Sequence, residues 1–127
     1  MGRADEKFTA VRAVVKILRE AAGVRAFGVE RKIFPLVAPE CTDGDFLVYQ
    51  RDGYERQDTK MGIALQQSVI YVIAVSMDYD RSLSLAEAVY TALEGDHPDE
   101  NVRIRMEDYS EEYVDKKFIQ VLRFTIQ

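Results

Sequence analysis

His97 is the only histidine of this chain and Cys41 its only cysteine. A cysteine nucleophile needs a base to take its proton, and His97 is the one imidazole available. A small hydrolase using Cys41 and His97 is therefore the nucleophilic arrangement the composition permits. The surroundings argue against it. Cys41 sits between Pro39 and Gly44, in a turn-forming stretch with no cysteine-hydrolase signature. His97 lies in Glu94-Gly95-Asp96-His97-Pro98-Asp99-Glu100, an acidic loop. Asp96 and Asp99 beside it would suggest a metal or a general base, but a metal site needs several convergent ligands at defined spacing. The carboxylates Glu107, Asp108, Glu111, Glu112 and Asp115 would suit acid–base pairing or calcium. Their spacing is not that of an EF-hand, and such a charge run ordinarily marks a solvated hairpin end. Glycine-rich phosphate loops, Gly-x-Ser-x-Gly, Cys-x-x-Cys and His-Glu-x-x-His are absent. The residues argue for no catalytic site, no metal and no cofactor.

A second candidate chemistry is charge recognition. Arg103, Arg105 and Arg123 fall on the expected wet face of a C-terminal hairpin, with Tyr109 and Tyr113 nearby. RNA-binding sheets combine such cations with aromatics that stack bases. No RNP-type motif accompanies them, and the net charge of −5 opposes a nonspecific nucleic-acid binder. A nucleic-acid module is thus a second reading, and a solvated strand face or an oligomer interface is the plainer one.

The elements that would carry these residues are legible in the periodicity. Asp5–Ala22 predicts a helix, with Phe8, Val11, Val15, Leu18 and Ala22 as its apolar stripe and Gly23 as its stop. Lys7, Arg12, Lys16 and Arg19 lie largely off that stripe. Ile33–Leu36 predicts a short edge strand, because Pro35 cannot donate to a ladder. Phe46–Arg51 is a strand that either ends in a hairpin at Asp52-Gly53 or continues past a bulge. Asp58–Leu65 is expected to be a flexible loop. Ser68–Met77, apolar on both faces, predicts a central strand covered on both sides, or one that an oligomer partner covers. Ser82–Glu94 predicts a second helix, N-capped by Ser84 or Ser82, with Ala86, Val89, Tyr90 and Leu93 buried. Val102–Met106 and Lys117–Gln127 predict a hairpin, with Asp108–Asp115 as an acidic aromatic turn region. Strands do not alternate with helices, so the expected class is α+β: an antiparallel or mixed sheet with two α-helices on one face.

The chain has 127 residues, of which 47% are hydrophobic and 31% charged, which suits one globular domain over 1–127. One cysteine excludes an internal disulfide. No apolar run reaches bilayer length. The chain reads as cytosolic, or as made in a cytosol and assembled there.

The segment Ile33-Phe34-Pro35-Leu36-Val37-Ala38-Pro39, followed by Phe46-Leu47-Val48-Tyr49-Gln50-Arg51, resembles a stretch of the phage tail-completion, or tail-to-head joining, family. Ser68–Met77 with the helix carrying Ala86-Glu87-Ala88-Val89-Tyr90 and Leu93 resembles that family's central strand and helix. Val102–Gln127 resembles its closing hairpin. Asp58–Leu65 matches no family pattern, and Met77-Asp78-Tyr79 stands where many relatives carry Trp or Phe. The resemblance implies a non-enzymatic structural protein of the virion, assembled in the host bacterial cytoplasm. It implies a homo-oligomeric ring, possibly a hexamer, whose partners are the tail-tube and head-connector proteins. A ring needs two different patches that meet, copy to copy. Asp58, Lys60, Met61, Arg103, Arg105, Tyr109, Tyr113 and Arg123 are the candidate interface residues. No membrane contact and no specific nucleic-acid binding are expected of it.

Overall fold

The computed structural model describes residues 4–39, 42, 44–58 and 64–127, with side chains described at 10–39, 42, 44–51 and 68–127. Helix α1 spans Ala4–Glu20 and is followed by a short α2, Ala22–Arg25. The strands are β1 Ile33–Pro35, β2 Phe46–Asp58 and β3 Ala64–Ser76. After helix α3, Tyr79–Leu93, come β4 Gly95–His97, β5 Val102–Val114 and β6 Lys117–Ile126. One sheet joins them in the order β1-β2-β3-β6-β5-β4. Only β1 and β2 run parallel, so the sheet is mixed and the class is α+β.

β3 is central, paired with β2 on one side and β6 on the other. Its two apolar faces have different covers. Ile70, Val72 and Ala74 align with Leu47 on β2 and with Leu122 and Phe124 on β6, and this face carries the helices. Val14 and Leu18 of α1, Val24 of α2 and Leu85, Ala86, Val89 and Leu93 of α3 complete the core there. The opposite face holds a smaller cluster of Phe46, Val48 and Val75, with Phe34, Ala38, Ile73 and Ile119 against it. Alternation along a strand is what separates these two sets.

Several sequence expectations are corrected. The first helix breaks at Ala21, and Gly23 lies inside α2, where an added Cβ would sit 3.8 Å from Ala88. The left-handed glycine is Gly28, at φ +72°. Ala22 is exposed, and Val14 rather than Val11 or Val15 centres the buried stripe of α1. α3 begins three residues early because Asp78 is its N-cap: Oδ2 accepts from the Arg81 N–H at 3.0 Å. Ser82 is fully buried inside the helix, its hydroxyl donating to the Tyr79 carbonyl at 2.6 Å, and Ser84 is exposed. Tyr90 is 40% exposed, because the buried stripe runs through Ser82, Leu85, Ala86, Val89 and Leu93.

In the sheet, β2 continues past a register shift between Arg51 and Tyr54, which decides for the bulge over the hairpin. Asp58 ends β2, and Ala64 and Leu65 belong to β3, so both ends of the expected loop are strand; its residues 59–63 lie outside the described residues. The Asp108–Asp115 turn region is strand as far as Val114. The chain reverses at Asp115 and Lys116, both with positive φ (52° and 64°), the signature of a two-residue type I′ hairpin. The sequence predicts loop where β4 forms. Gly95, at φ +115°, redirects the chain so that 95–97 pairs with 102–104.

Candidate functional site

The chemical candidates are scattered. Cys41 lies outside the described residues. The His97 ring nitrogen Nε2 is 2.7 Å from the Leu93 carbonyl at the end of α3, a cap that occupies one nitrogen. Asp96 pairs with Arg103 at 2.6 Å, and Glu100 with Lys16 at 3.2 Å. Among the described residues no three His, Cys, Asp or Glu side chains gather as a metal site would.

The arginines and tyrosines do not share a surface. Arg103, Arg105 and Arg123 lie on the sheet face away from the helices, since Ile104 and Phe124 point into the helix-side core. Tyr109 stands opposite Leu122, and Tyr113 opposite Phe118, on the helix side. A base-stacking platform ringed by these cations is therefore not assembled. Lys60 and Met61 lie outside the described residues, and Asp58 is placed only as the last residue of β2.

What the structure does assemble is the outer end of the β5–β6 hairpin, beside the N-terminus of α3. Tyr79 and Tyr113 pack on Phe118, with ring centroids 5.4 and 4.8 Å away. The Tyr79 hydroxyl donates to Glu111 Oε1 at 3.0 Å. Gln120 is fully buried, and its amide donates to Ser82 Oγ and Glu111 Oε1, each at 3.2 Å. The Tyr109 hydroxyl donates to the Gln120 carbonyl oxygen. The hydrogen bond to Glu111 holds the Tyr79 phenol above its ordinary range, and burial does the same for Tyr109. Arg81, one turn into α3, pairs with Asp45 just before β2 and lies 5.3 Å from the Phe27 ring. These contacts fix the hairpin end against α3.

Beyond its short pairing with β4, which stops at Ile104, the outer edge of β5 has no strand neighbour among the described residues. Exposed carboxylates at Glu107, Asp108, Glu111 and Glu112 line it, which discourages indiscriminate edge pairing. The sequence pointed to Tyr109 and Tyr113 but missed Tyr79 and Gln120. Gln120 sits at a core position of an otherwise apolar alternation, and that lone polar residue was the available signal.

A second concave surface lies along α1. Val11, Val15 and Tyr49 floor an open groove of about 430 Å³, rimmed by Arg12, Lys16, Arg19 and Glu20. The i, i+4, i+7 spacing of Arg12, Lys16 and Arg19 places the three cations on one helix face.

No family model matches the chain, and no curated protein matches it. Among solved structures, the fold is similar to a chain of the virion of a native gene transfer agent (GTA) particle. The TM-score is 0.64 at 17% identity, covering 89% of this chain and 89% of that one. That likeness extends over nearly the whole of both chains and shows a common fold.

Proposed function

We propose that this chain is a structural protein of a phage-like particle, which completes the tail and joins it to the head connector as a homo-oligomeric ring. The observation that carries the reading is the fold likeness to a chain of a gene transfer agent virion over 89% of both chains. The family resemblance of Ile33–Arg51 and of the C-terminal hairpin points to the tail end of such a particle. Its partners are copies of itself, the tail-tube protein and the head connector. The role is non-enzymatic, and the working location is the virion after assembly in the host cytoplasm.

The molecule is suited to such a role. Its surface presents patches of different character, and a closed ring is built by joining unlike patches. A net charge of −5 gives a ring around a DNA passage little grip on phosphate. Deleting the gene from the particle-producing genome tests the reading. Electron microscopy should then find filled heads and tails that are not joined, and purified protein added to that extract should restore joined particles while becoming incorporated in them. Joined, full particles without the chain would overturn the proposal.

A further inference from the structure

The charge of this chain is segregated. Residues 1–32 hold eight Lys or Arg and four Asp or Glu, a formal +4, whereas residues 78–115 hold three and twelve, a formal −9. Folding turns that segregation into two surfaces of opposite character. One is the α1 groove, with an apolar floor of Val11, Val15 and Tyr49 and a rim of Arg12, Lys16, Arg19 and Glu20, on which Lys16 is already paired with Glu100. On that rim neither Arg12 nor Arg19 is in an ion pair among the described residues. The other is the tip of the β5–β6 hairpin. Tyr113 is 61% and Val114 48% exposed, on opposite flanks of the ribbon. Glu112 and Asp115 flank them, and neither is in an ion pair among the described residues.

We propose that the hairpin tip of one copy docks in the α1 groove of the next copy. The interface deepens, and rests on, the ring reading given above. Val114 covers the apolar floor, while Glu112 on the same flank and Asp115 at the turn meet Arg12 and Arg19. Charge complementarity within a single sequence is the argument for a second copy as the occupant. A copy cannot satisfy its own groove. The tip is anchored at the N-terminal end of α3 through Tyr79, and α1 meets the C-terminal end of α3, where Ile17, Ala21 and Ala92 line one recess. The 15 residues of α3 span about 22 Å. The two surfaces differ, so the contact is head-to-tail and propagates until the rotation closes.

Sedimentation of the full chain at high protein concentration and low ionic strength tests this. Two variants each disable one side: Arg12→Glu with Arg19→Glu in the groove, and Glu112→Lys with Asp115→Asn at the tip. Asparagine at 115 tolerates the positive φ. Wild type is expected to form closed oligomers, and either variant to associate on the order of a hundredfold more weakly. An equal mixture of the two should associate again, since the unchanged tip of one meets the unchanged groove of the other and the reversed tip meets the reversed groove. One chain carrying Arg12→Glu and Glu112→Lys together should regain association. Circular dichroism identical to wild type would establish that each variant is folded. Undiminished association of both variants would overturn this interface and leave the ring standing on other contacts. A wild type that remains monomeric throughout would overturn both interface and ring, while incorporation into particles would still report separately on the virion role.

Discussion

Gln120 is the residue on which the hairpin end depends most. An amide with no solvent contact costs stability unless its donors and acceptor are satisfied. Ser82, Glu111 and Tyr109 satisfy it, and they come from α3 and β5, so one side chain ties three elements together. Replacing it by alanine leaves a cavity, takes away the acceptor of the Tyr109 hydroxyl and removes the donor to Ser82 Oγ, whose own proton stays on the Tyr79 carbonyl. Gln120→Ala should destabilise the fold by about 2–4 kcal/mol, measured by urea unfolding. A cost near zero would mean the network is ornamental. Tyr79 offers a pH-dependent test. Its folded-state pKa is raised above the ordinary 10.0, first by its hydrogen bond to Glu111. Its contribution is therefore complete below that value and is lost as pH rises through the folded pKa, since the unfolded chain releases the proton first. As pH rises above 10.0, wild type should lose thermal stability more steeply than Tyr79→Phe does. Parallel pH profiles would contradict the assignment.

At the scale of elements, the β5–β6 hairpin was half legible. Val102, Ile104 and Met106 alternate cleanly, and so do Phe118, Leu122, Phe124 and Ile126. The middle of β5 hid because its acidic residues have low strand propensity and its turn carries Asp115-Lys116 instead of Asn-Gly. Cross-strand pairing of Tyr109 with Leu122 and Tyr113 with Phe118 supplies what local preference lacks. Lysine tolerates its φ of +64° at a steric cost that glycine does not pay. Lys116→Gly should therefore raise stability by about 1 kcal/mol, read as a higher midpoint in denaturant. A lower midpoint would mean that the lysine side chain contributes more than its backbone strain costs. The start of α3 illustrates the reverse problem. Asp78, Ser82 and Ser84 are all good N-caps by type. Burial of Ser82 against Gln120 selects the first, and burial is not written in a local window.

For the whole molecule, the relevant quantity is the asymmetry of charge more than its sum. A −5 chain should repel its copies, yet a +4 segment and a −9 segment give copies one favourable orientation. Association through exposed charges is screened by salt. Raising ionic strength from about 0.05 M to about 0.5 M, which shortens the Debye length severalfold, should shift wild-type oligomers toward monomer. Salt-insensitive association would point instead to the exposed apolar side chains Leu36, Val37 and Met77.

The sequence by itself determined the α+β class, the two main helices, the central place of β3 and the edge place of β1. Each follows from local facts: the period of apolar residues, or a proline that cannot donate. It also carried the family resemblance, because Ile33–Arg51 is contiguous. Only the tertiary structure decided which faces meet. Sheet register put Tyr109 and Tyr113 on one side and Arg103, Arg105 and Arg123 on the other, which removed the base-stacking surface that proximity in sequence suggested. It also brought Tyr79 and Phe118, far apart along the chain, into ring contact, and placed Tyr49 beneath the cations of α1. Strand pairing and helix packing act between distant residues, so the surfaces available to a partner emerge only once the sheet has closed.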